Sequence, residues 1–381
     1  MLQADGQIVD NSIDAQLEDL GHATDLEDSL AESKSQRAAA QGRNSRTDTS
    51  KYPVLTLPNE ITIEMFLQFL PTYPLCSEMT GLYSPTLLTH ICSQWRTIAL
   101  SIHQLWRAIY LPRSHVGIDH LLDVWLTRSG SCPLSLNVVL PFEEYMTAHW
   151  SNALSNLISQ RTRWEHLTVT VGGSGPGSSA HLSLLNGPMP VLHHLRLDFL
   201  DMITVLQVKS APLLCSVILS HDACMGATVE LPWRQLTSLA MYWCYLDEFS
   251  TTLQRASNLV HCKLFISNRD MSINALPEIS LPHLDSLVLD VNIGVADDRT
   301  IRSLITPALR HLEVSERSLG ENHLETLSFF ISNSTCKLDR LRIMYDDGGV
   351  SIPLERYRSV VPTVTCISAS KVGAETSTLG A

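Results

Sequence analysis

The chain has 381 residues and a formal net charge of −12, and only 17% of its residues are charged, against roughly 25% in an average globular protein. The length allows two or three compact units, or one compact unit joined to a repeat array. The acidic balance argues against a nucleic-acid binder, which needs a basic surface. No stretch approaches the ~18 uninterrupted apolar residues of a membrane-spanning helix, so we expect neither a nucleic acid nor a membrane as partner.

The first fifty residues carry half of the chain's net negative charge, −6 of −12. Residues 1–50 hold ten acids and four bases and are rich in Ala, Ser and Gln. Ile13, Leu17 and Leu20 give at most one weak amphipathic helix, so we expect disorder with transient helix. The sequence starts without a basic, apolar leader, and nine cysteines in such a chain fit a reducing compartment. We therefore expect a cytoplasmic or nuclear protein.

An apolar, helical stretch begins at residue 52. Pro58 suits the first turn of a helix, and apolar residues within 61–70 mark one helical face that Pro71 ends. Ser84 and Pro85 supply a second helix start. Apolar residues then recur at steps of three or four up to a break at 101–104.

Beyond residue 112, helical and strand patterns alternate, and the chain then repeats itself. Helices are predicted at 117–129 and 143–160, and a strand at 133–140. One pattern, an apolar residue, two variable residues, an apolar residue, one variable and one apolar, then recurs eight times at spacings of 22 to 29 residues. The eight copies are WEHLTV (164–169), LHHLRL (192–197), LCSVIL (214–219), LTSLAM (236–241), LVHCKL (259–264), LDSLVL (284–289), LRHLEV (309–314) and LDRLRI (338–343).

Short strands at this period are typical of leucine-rich repeats, which stack into a solenoid with a curved parallel sheet. The usual Asn after the third Leu is missing, so these repeats are irregular. We predict an α/β chain with an acidic, disordered segment at 1–50, a helical domain at 51–111 and a leucine-rich-repeat solenoid at 112–345. Residues 346–381 would form a C-terminal cap and tail.

The helical domain resembles an F-box of the form common in mushroom-forming fungi. The stretches LPNEITIEMFLQFLP (57–71) and SPTLLTHICSQWRTIALSIHQLWRAI (84–109) match its pattern of Leu-Pro-x-Glu-Ile, Ile-Phe, Val-Cys-x-x-Trp-Arg and Leu-Trp. Met65 stands where Ile is commoner, and the link between the helices is longer than in short F-boxes. The resemblance implies a three-helix module that docks on the Skp-type adaptor of a Skp–cullin–F-box ubiquitin ligase, and through it on cullin.

The charge pattern of residues 51–111 favours the same interpretation independently. About sixty residues bury little of their own surface, and this segment has three acids, three bases and many apolar side chains. Such a unit should leave an apolar patch for a partner. The candidates for adaptor contact are Leu57, Pro58, Ile61, Met65, Phe66, Trp95, Leu105 and Trp106. The alternative, that these residues form only the core of the helices, applies most to the two tryptophans.

The solenoid predicts a second surface, on the strands. Solenoids bind through their inner, strand-bearing face, and strand alternation places one set of side chains outward. These outward candidates for binding an unknown target protein are Arg196, Asp198, Tyr242, Lys263, Phe265, Asp290, Glu313 and Arg342. A plain solvated sheet face is the alternative.

No pattern in the sequence indicates a metal, a cofactor or a catalytic centre. The cysteines form no CxxC pair, and no histidine pair lies at zinc-finger spacing. The Gly-rich stretch 171–180 lacks the lysine of a phosphate-binding loop, and 346–349 lacks the ligand spacing of a calcium loop. Serine-hydrolase and cysteine-protease signatures are also missing. We expect no cofactor and no metal site.

We therefore predict a non-catalytic substrate receptor, in which the F-box holds the ligase and the repeats hold the target. The main alternative is a leucine-rich-repeat binding or regulatory module that acts outside ubiquitin ligation. A second alternative is an enzyme on an unrecognised fold, which a deep pocket lined by convergent titratable groups would favour.

Overall fold

In the computed structural model, the described residues are 53–113, 117–141, 146–171, 184–199, 205–208, 210–221, 228–244, 246–267, 276–293, 296–345, 357–361 and 364–368. The disorder expected for 1–50, the Gly-rich loop at 171–180, the turn at 346–349 and most of the C-terminal tail lie outside them. The chain divides into two units, Met1–Thr62 and Ile63–Ala381. No helix in the described ranges has the length and apolarity needed to cross a membrane.

Eight α-helices occur in the described part of the chain. In chain order α1 to α8 are Asn59–Phe69, Pro85–Ile91, Ser93–Ser101, Ile118–Arg128, Ala148–Ser159, Leu246–Arg255, Arg299–Ser303 and His323–Ser334. The division between the two units falls inside α1, so the described part of the smaller unit is a 3₁₀ turn, Pro53–Thr56, and the start of that helix.

Two predicted helix signals have definite structural outcomes. Ser84 caps α2 by accepting a hydrogen bond on Oγ from the N–H of Thr86 (3.2 Å), and Pro85 is the first helical residue. The apolar run that follows is divided into α2 and α3. Cys92 between them is extended, and its Sγ accepts from the N–H of Trp95 (3.4 Å), so it starts a new helix.

The strands of the larger unit form one main sheet and two short pairs. In chain order β1 to β15 are Ala108–Leu111, Leu134–Leu140, Trp164–Val171, His194–Phe199, Val205–Gln207, Ser216–His221, Thr228–Glu230, Ser238–Cys244, His261–Ser267, Ile279–Ser280, Ser286–Ile293, Leu304–Ile305, His311–Ser315, Arg340–Tyr345 and Val364–Ser368. Eleven of them lie in the main sheet in the order β1-β2-β3-β4-β6-β8-β9-β11-β13-β14-β15. β5 pairs with β7, and β10 with β12.

Every strand pair in the main sheet is parallel. All eight copies of the repeated pattern supply a strand, and the predicted strand at 133–140 corresponds to β2. The expectation of an α/β fold with a large parallel sheet is therefore confirmed. Three strands of this sheet lack the repeated pattern: β1, β2, which was predicted from its alternation, and β15, which lies in the predicted tail.

The same backbone hydrogen bonds recur from one strand to the next. The carbonyl of His193 accepts from the N–H groups of both Cys215 and Ser216 (3.1 Å each), and that of Cys215 accepts from Thr237 and Ser238. Four prolines of the repeats occupy the second position of a turn in which the residue before proline accepts from the N–H two residues after it. The acceptor–donor pairs are Met189–Leu192, Ala211–Leu214, Leu281–Leu284 and Thr306–Leu309.

One face of the sheet forms the core. The inner side chains align in two rows across the strands, and each is at most 2% exposed. The rows are Leu167, Leu195, Val217, Leu239, Cys262, Leu287, Leu312 and Leu341, and Val169, Leu197, Leu219, Met241, Leu264, Leu289, Val314 and Ile343. Phe66, Leu88, Ile98, Leu105 and Trp106 belong to the same hydrophobic cluster. Within the larger unit, the N-terminal helices and the sheet therefore share one core.

The inner rows give a stability prediction. Leu239→Ala should lower the free energy of unfolding by about 2–5 kcal/mol, because it removes buried methyl groups and leaves a cavity between neighbouring strands. Leu213→Ala is the matched control, since Leu213 is 47% exposed in one of the proline turns, and it should change stability by less than about 0.5 kcal/mol. Urea denaturation measures both, and equal effects would contradict the assignment of the core face.

Candidate functional site

Exposed large apolar and aromatic side chains are concentrated in one stretch of the described chain. Nine such side chains are exposed, and seven of them lie between residues 54 and 100. These seven are Val54, Ile61, Met65, Leu82, Tyr83, Ile91 and Leu100. A contiguous exposed apolar patch is a common mark of a protein–protein interface, and these side chains are the candidates for such a patch.

Two of the predicted adaptor contacts have the exposure that a contact requires. Ile61 is 51% and Met65 is 43% exposed. They lie four residues apart on α1, a spacing that puts both on the same side of a helix. Pro58 is also exposed, whereas Leu57 and Trp95 are half-buried.

Three of the predicted adaptor contacts are buried, and the expectation of a surface position was wrong for them. Phe66 is 1% exposed, and its ring packs edge-on against Trp95 with centroids 4.9 Å apart. Leu105 is 1% and Trp106 is 0% exposed. The Nε1–H of Trp106 donates to the carbonyl oxygen of Ala99 (3.1 Å), and its ring packs against Trp125 with centroids 5.2 Å apart. These side chains hold the helices together and are not accessible to a partner.

The most exposed apolar pair was missed by the sequence analysis. Leu82 and Tyr83 are 73% and 72% exposed in the turn before α2. Gly81 in this turn has φ +103°, a conformation that L side chains rarely adopt. The available signal was an apolar pair placed between a glycine and a helix cap, outside any helical periodicity.

The eight predicted target contacts all lie on strands whose alternate side chains face away from the core. We call this side of the main sheet the open face. Strand register puts Arg196, Lys263, Glu313 and Arg342 in one row across it. Asp198, Tyr242, Phe265 and Asp290 lie in a second row, two residues further along each strand.

Neighbouring side chains on the open face interact in pairs. Arg196 donates from Nε to Asp198 (2.9 Å), whose other oxygen accepts from Ser220. Arg342 donates to Glu313 (3.1 Å). Phe265 is only 9% exposed because its ring stacks on Tyr242 with centroids 4.7 Å apart, so its predicted role as an exposed contact needs correction.

A third row on the open face consists mainly of serine and histidine. Register aligns Ser135, His166, His194, Ser216, Ser238, His261, Ser286 and His311 across eight consecutive strands. The sequence carries a signal for this row, because histidine is the third residue in four of the eight repeated patterns. The sequence analysis missed this alignment of histidines and serines.

Residues 71–77, here called the crossing segment, run over the open face at strands β3, β2 and β1. The Tyr73 hydroxyl donates to Glu165 on β3 (2.6 Å). Ser135 on β2 donates from Oγ to the carbonyl oxygen of Pro74 (2.5 Å), and Ser77 forms a parallel bridge with Ile109 of β1. The segment is thus attached to each of the first three strands in turn.

Tyr73 and Cys76 of the crossing segment are both partly shielded from water. Burial, followed by the hydrogen bond to Glu165, raises the pKa of Tyr73, while the Arg107 guanidinium lies 3.8 Å above its ring. Burial raises the pKa of the Cys76 thiol to about 11. That thiol is therefore protonated at neutral pH and is a weak nucleophile.

A pocket of about 560 Å³ lies between the crossing segment and the open face. Its lining comes from residues 71–76 and from strands β2, β3, β4 and β6. Burial lowers the pKa of His166 and lowers that of His194 to about 4, so both imidazoles are neutral near pH 7. The pocket thus presents neutral rings and hydrogen-bonding groups, an arrangement suited to binding.

A second pocket of about 330 Å³ lies further along the open face and differs in charge. It is lined by His261, His311, Arg340 and Arg342, together with Asp285 and Glu313. His311 lies 3.1 Å from Asp285, and Arg342 pairs with Glu313, so charges of both signs meet there. Within the described ranges no group of three or more His, Cys, Asp or Glu side chains is placed to hold a metal ion.

No protein-family model matches the chain, and no curated protein matches it at a significant level.

The raised pKa of Cys76 in the crossing segment predicts that the stability of the chain depends on pH. The folded-state pKa of Cys76 is about 11, against 9.0 for an unperturbed thiol. The folded chain therefore holds this proton more tightly, and the corresponding stability is lost as the pH rises from 9 to 11. Cys76→Ser should show a smaller fall in unfolding free energy over this range, measured relative to neutral pH. A fall as large as that of the unaltered chain would contradict the burial of this thiol.

Proposed function

We propose that this chain is the substrate receptor of a Skp–cullin–F-box ubiquitin ligase. Its N-terminal helices would act as an F-box that binds a Skp-type adaptor, and through it cullin. Its strands would act as irregular leucine-rich repeats that bind a target protein. The receptor itself is non-catalytic and needs no cofactor, because it raises the effective concentration of target lysines near the ubiquitin carrier. The complex would work in the cytoplasm or the nucleus.

The observation that carries this proposal is the concentration of exposed apolar side chains at 54–100. Ile61 and Met65 belong to the Leu-Pro-x-Glu-Ile and Ile-Phe positions of the F-box-like motif, and both are uncovered. Uncovered Ile and Met side chains in water lose the free energy that burial against a partner would return, about 25 cal/mol per Å² of apolar area. An adaptor that binds here would bury the side chains of Ile61 and Met65, which accounts for their exposure in the free chain.

The strand region supports the second half of the proposal. The open face offers paired charges, a stacked aromatic pair and two pockets, and this mixture suits a protein ligand better than a nucleic acid, which would need an excess of cations. The receptor function therefore assigns separate tasks to the N-terminal helices and to the open face.

The adaptor contact predicts a loss of binding on truncation of the two exposed helix residues. The double variant Ile61→Ala and Met65→Ala should weaken binding of a Skp-type adaptor from a mushroom-forming fungus by about 30-fold, because truncating interface hot spots costs about 2 kcal/mol or more. Alanine preserves the helix. Surface plasmon resonance with immobilised, purified adaptor measures the affinity.

The matched control for this experiment is Phe329→Ala on α8. Phe329 is 44% exposed on a helix outside the F-box-like region, and its truncation should leave adaptor binding unchanged. Adaptor binding that survives the double variant would overturn the proposal. Adaptor binding without recruitment of cullin would instead support the alternative function outside ubiquitin ligation.

A further inference from the structure

The pocket under the crossing segment has an unusual charge for this acidic chain. The chain as a whole carries a net charge of −12, yet the lining of this pocket has a single formal charge, that of Arg196, and contains no Asp or Glu. The second pocket of the open face contains both signs. Although Arg196 also pairs with Asp198 (2.9 Å), the lining of the first pocket favours an acidic group over a basic one, because it contains a cation and no anion.

Three side chains with hydrogen-bond donors lie next to one another on the pocket floor. Register aligns Asn137, Thr168 and Arg196 on adjacent strands, which are spaced about 4.8 Å apart. Within the described ranges the side chains of Asn137 and Thr168 have no hydrogen-bond partner. Arg196 uses Nε for Asp198 (2.9 Å), while its two Nη groups have no acceptor among the described residues.

Among the titratable side chains around this row of donors, Arg196 supplies the positive charge. His194 faces His166, Arg196 and the Ser216 hydroxyl at 2.9 Å. His166 faces Tyr73, Glu165, Arg107 and His193. Glu165 is engaged by the Tyr73 hydroxyl, and Asp198 by Ser220 and Arg196. Each carboxylate near the pocket is thus occupied by a donor, whereas the Arg196 fork retains donors for a ligand.

Apolar surface borders the donor row on two sides. Pro71, Pro74 and Leu75 of the crossing segment form one wall, and Ile218 on β6 lies beyond Arg196. A free carboxylate ion would fill only a small part of about 560 Å³ and would leave these apolar side chains uncovered. A ligand that carries an acidic group beside an aliphatic group matches both parts of the lining.

We propose that this pocket binds a short segment of a target protein in which an Asp or Glu residue neighbours an aliphatic residue. The carboxylate binds the Nη groups of Arg196 and the donors of Thr168 and Asn137, and the aliphatic side chain packs against the crossing segment. This inference deepens the proposed receptor function and rests on it, since it names the kind of target segment that the receptor binds. Ion-paired hydrogen bonds from arginine to carboxylate give such a contact both strength and direction.

Fluorescence anisotropy on the full chain tests the inference. The probe is a fluorescein-labelled decapeptide with two Glu-Leu pairs in a Gly-Ser background. Two matched peptides replace either both Glu by Gln or both Leu by Ser. The original peptide should bind about tenfold or more tightly than the Gln peptide, since a lost charged hydrogen bond costs about 1.5–3 kcal/mol, and the Ser peptide should also bind more weakly.

Protein variants locate the binding in the pocket. Arg196→Gln should weaken binding about tenfold, and so should the double variant Arg196→Gln with Asp198→Asn, which leaves no unpaired carboxylate behind. Thr168→Val, nearly equal in shape, should weaken it less. Arg255→Gln is the control, because Arg255 is exposed at the end of α6 and lines neither pocket of the open face, and it should not alter the affinity.

Three results would overturn the inference. They are equal binding of the Glu and Gln peptides, unchanged affinity in both Arg196 variants, and displacement of the probe by sodium acetate at the concentrations where unlabelled peptide displaces it. The last result would make the pocket a site for small free anions. The peptide assay uses no adaptor, and Ile61 and Met65 lie outside the pocket. A failure of peptide binding can therefore be distinguished from a failure of adaptor binding.

Discussion

The parallel register between neighbouring strands is the constraint on which the rest of the molecule depends. From β6 to β14, each strand of the main sheet begins where the carbonyl group just before the preceding strand accepts two N–H groups. Equivalent residues of successive units therefore stand side by side. On one face this alignment brings aliphatic side chains into two continuous buried rows. On the other face it brings Asn137, Thr168 and Arg196 together from segments about thirty residues apart. The core and the candidate pocket are thus two results of the same hydrogen bonding.

The strands could be predicted from the sequence because burial requires the same residue type at the same place in every unit. Leu195, Leu239 and Leu312 are interchangeable in pattern, and the repetition of that pattern is visible without a structure. Strands β1 and β15 carry no such signal. Ala108–Leu111 follows directly on a 3₁₀ turn that contains Trp106, so its apolar residues continued a helical pattern in the sequence.

Exposure and long-range contacts could not be predicted in the same way. A helical apolar stripe contains both Met65 and Phe66, and only packing decides that the first is exposed while the second contacts Trp95. The candidate pocket depends on the crossing segment, whose Tyr73 bonds Glu165, 92 residues away. No local sequence pattern predicts such a contact, because polar side chains form hydrogen bonds wherever the fold brings them together.

The edge of the sheet at β1 has a consequence for how the array can change in length. An exposed parallel edge strand invites pairing with another strand, but Ile109 of β1 is already bridged by Ser77. A strand added at this end would have to displace the crossing segment from its attachments at β1, β2 and β3. The crossing segment therefore hinders the addition of a further strand at the β1 edge of the sheet.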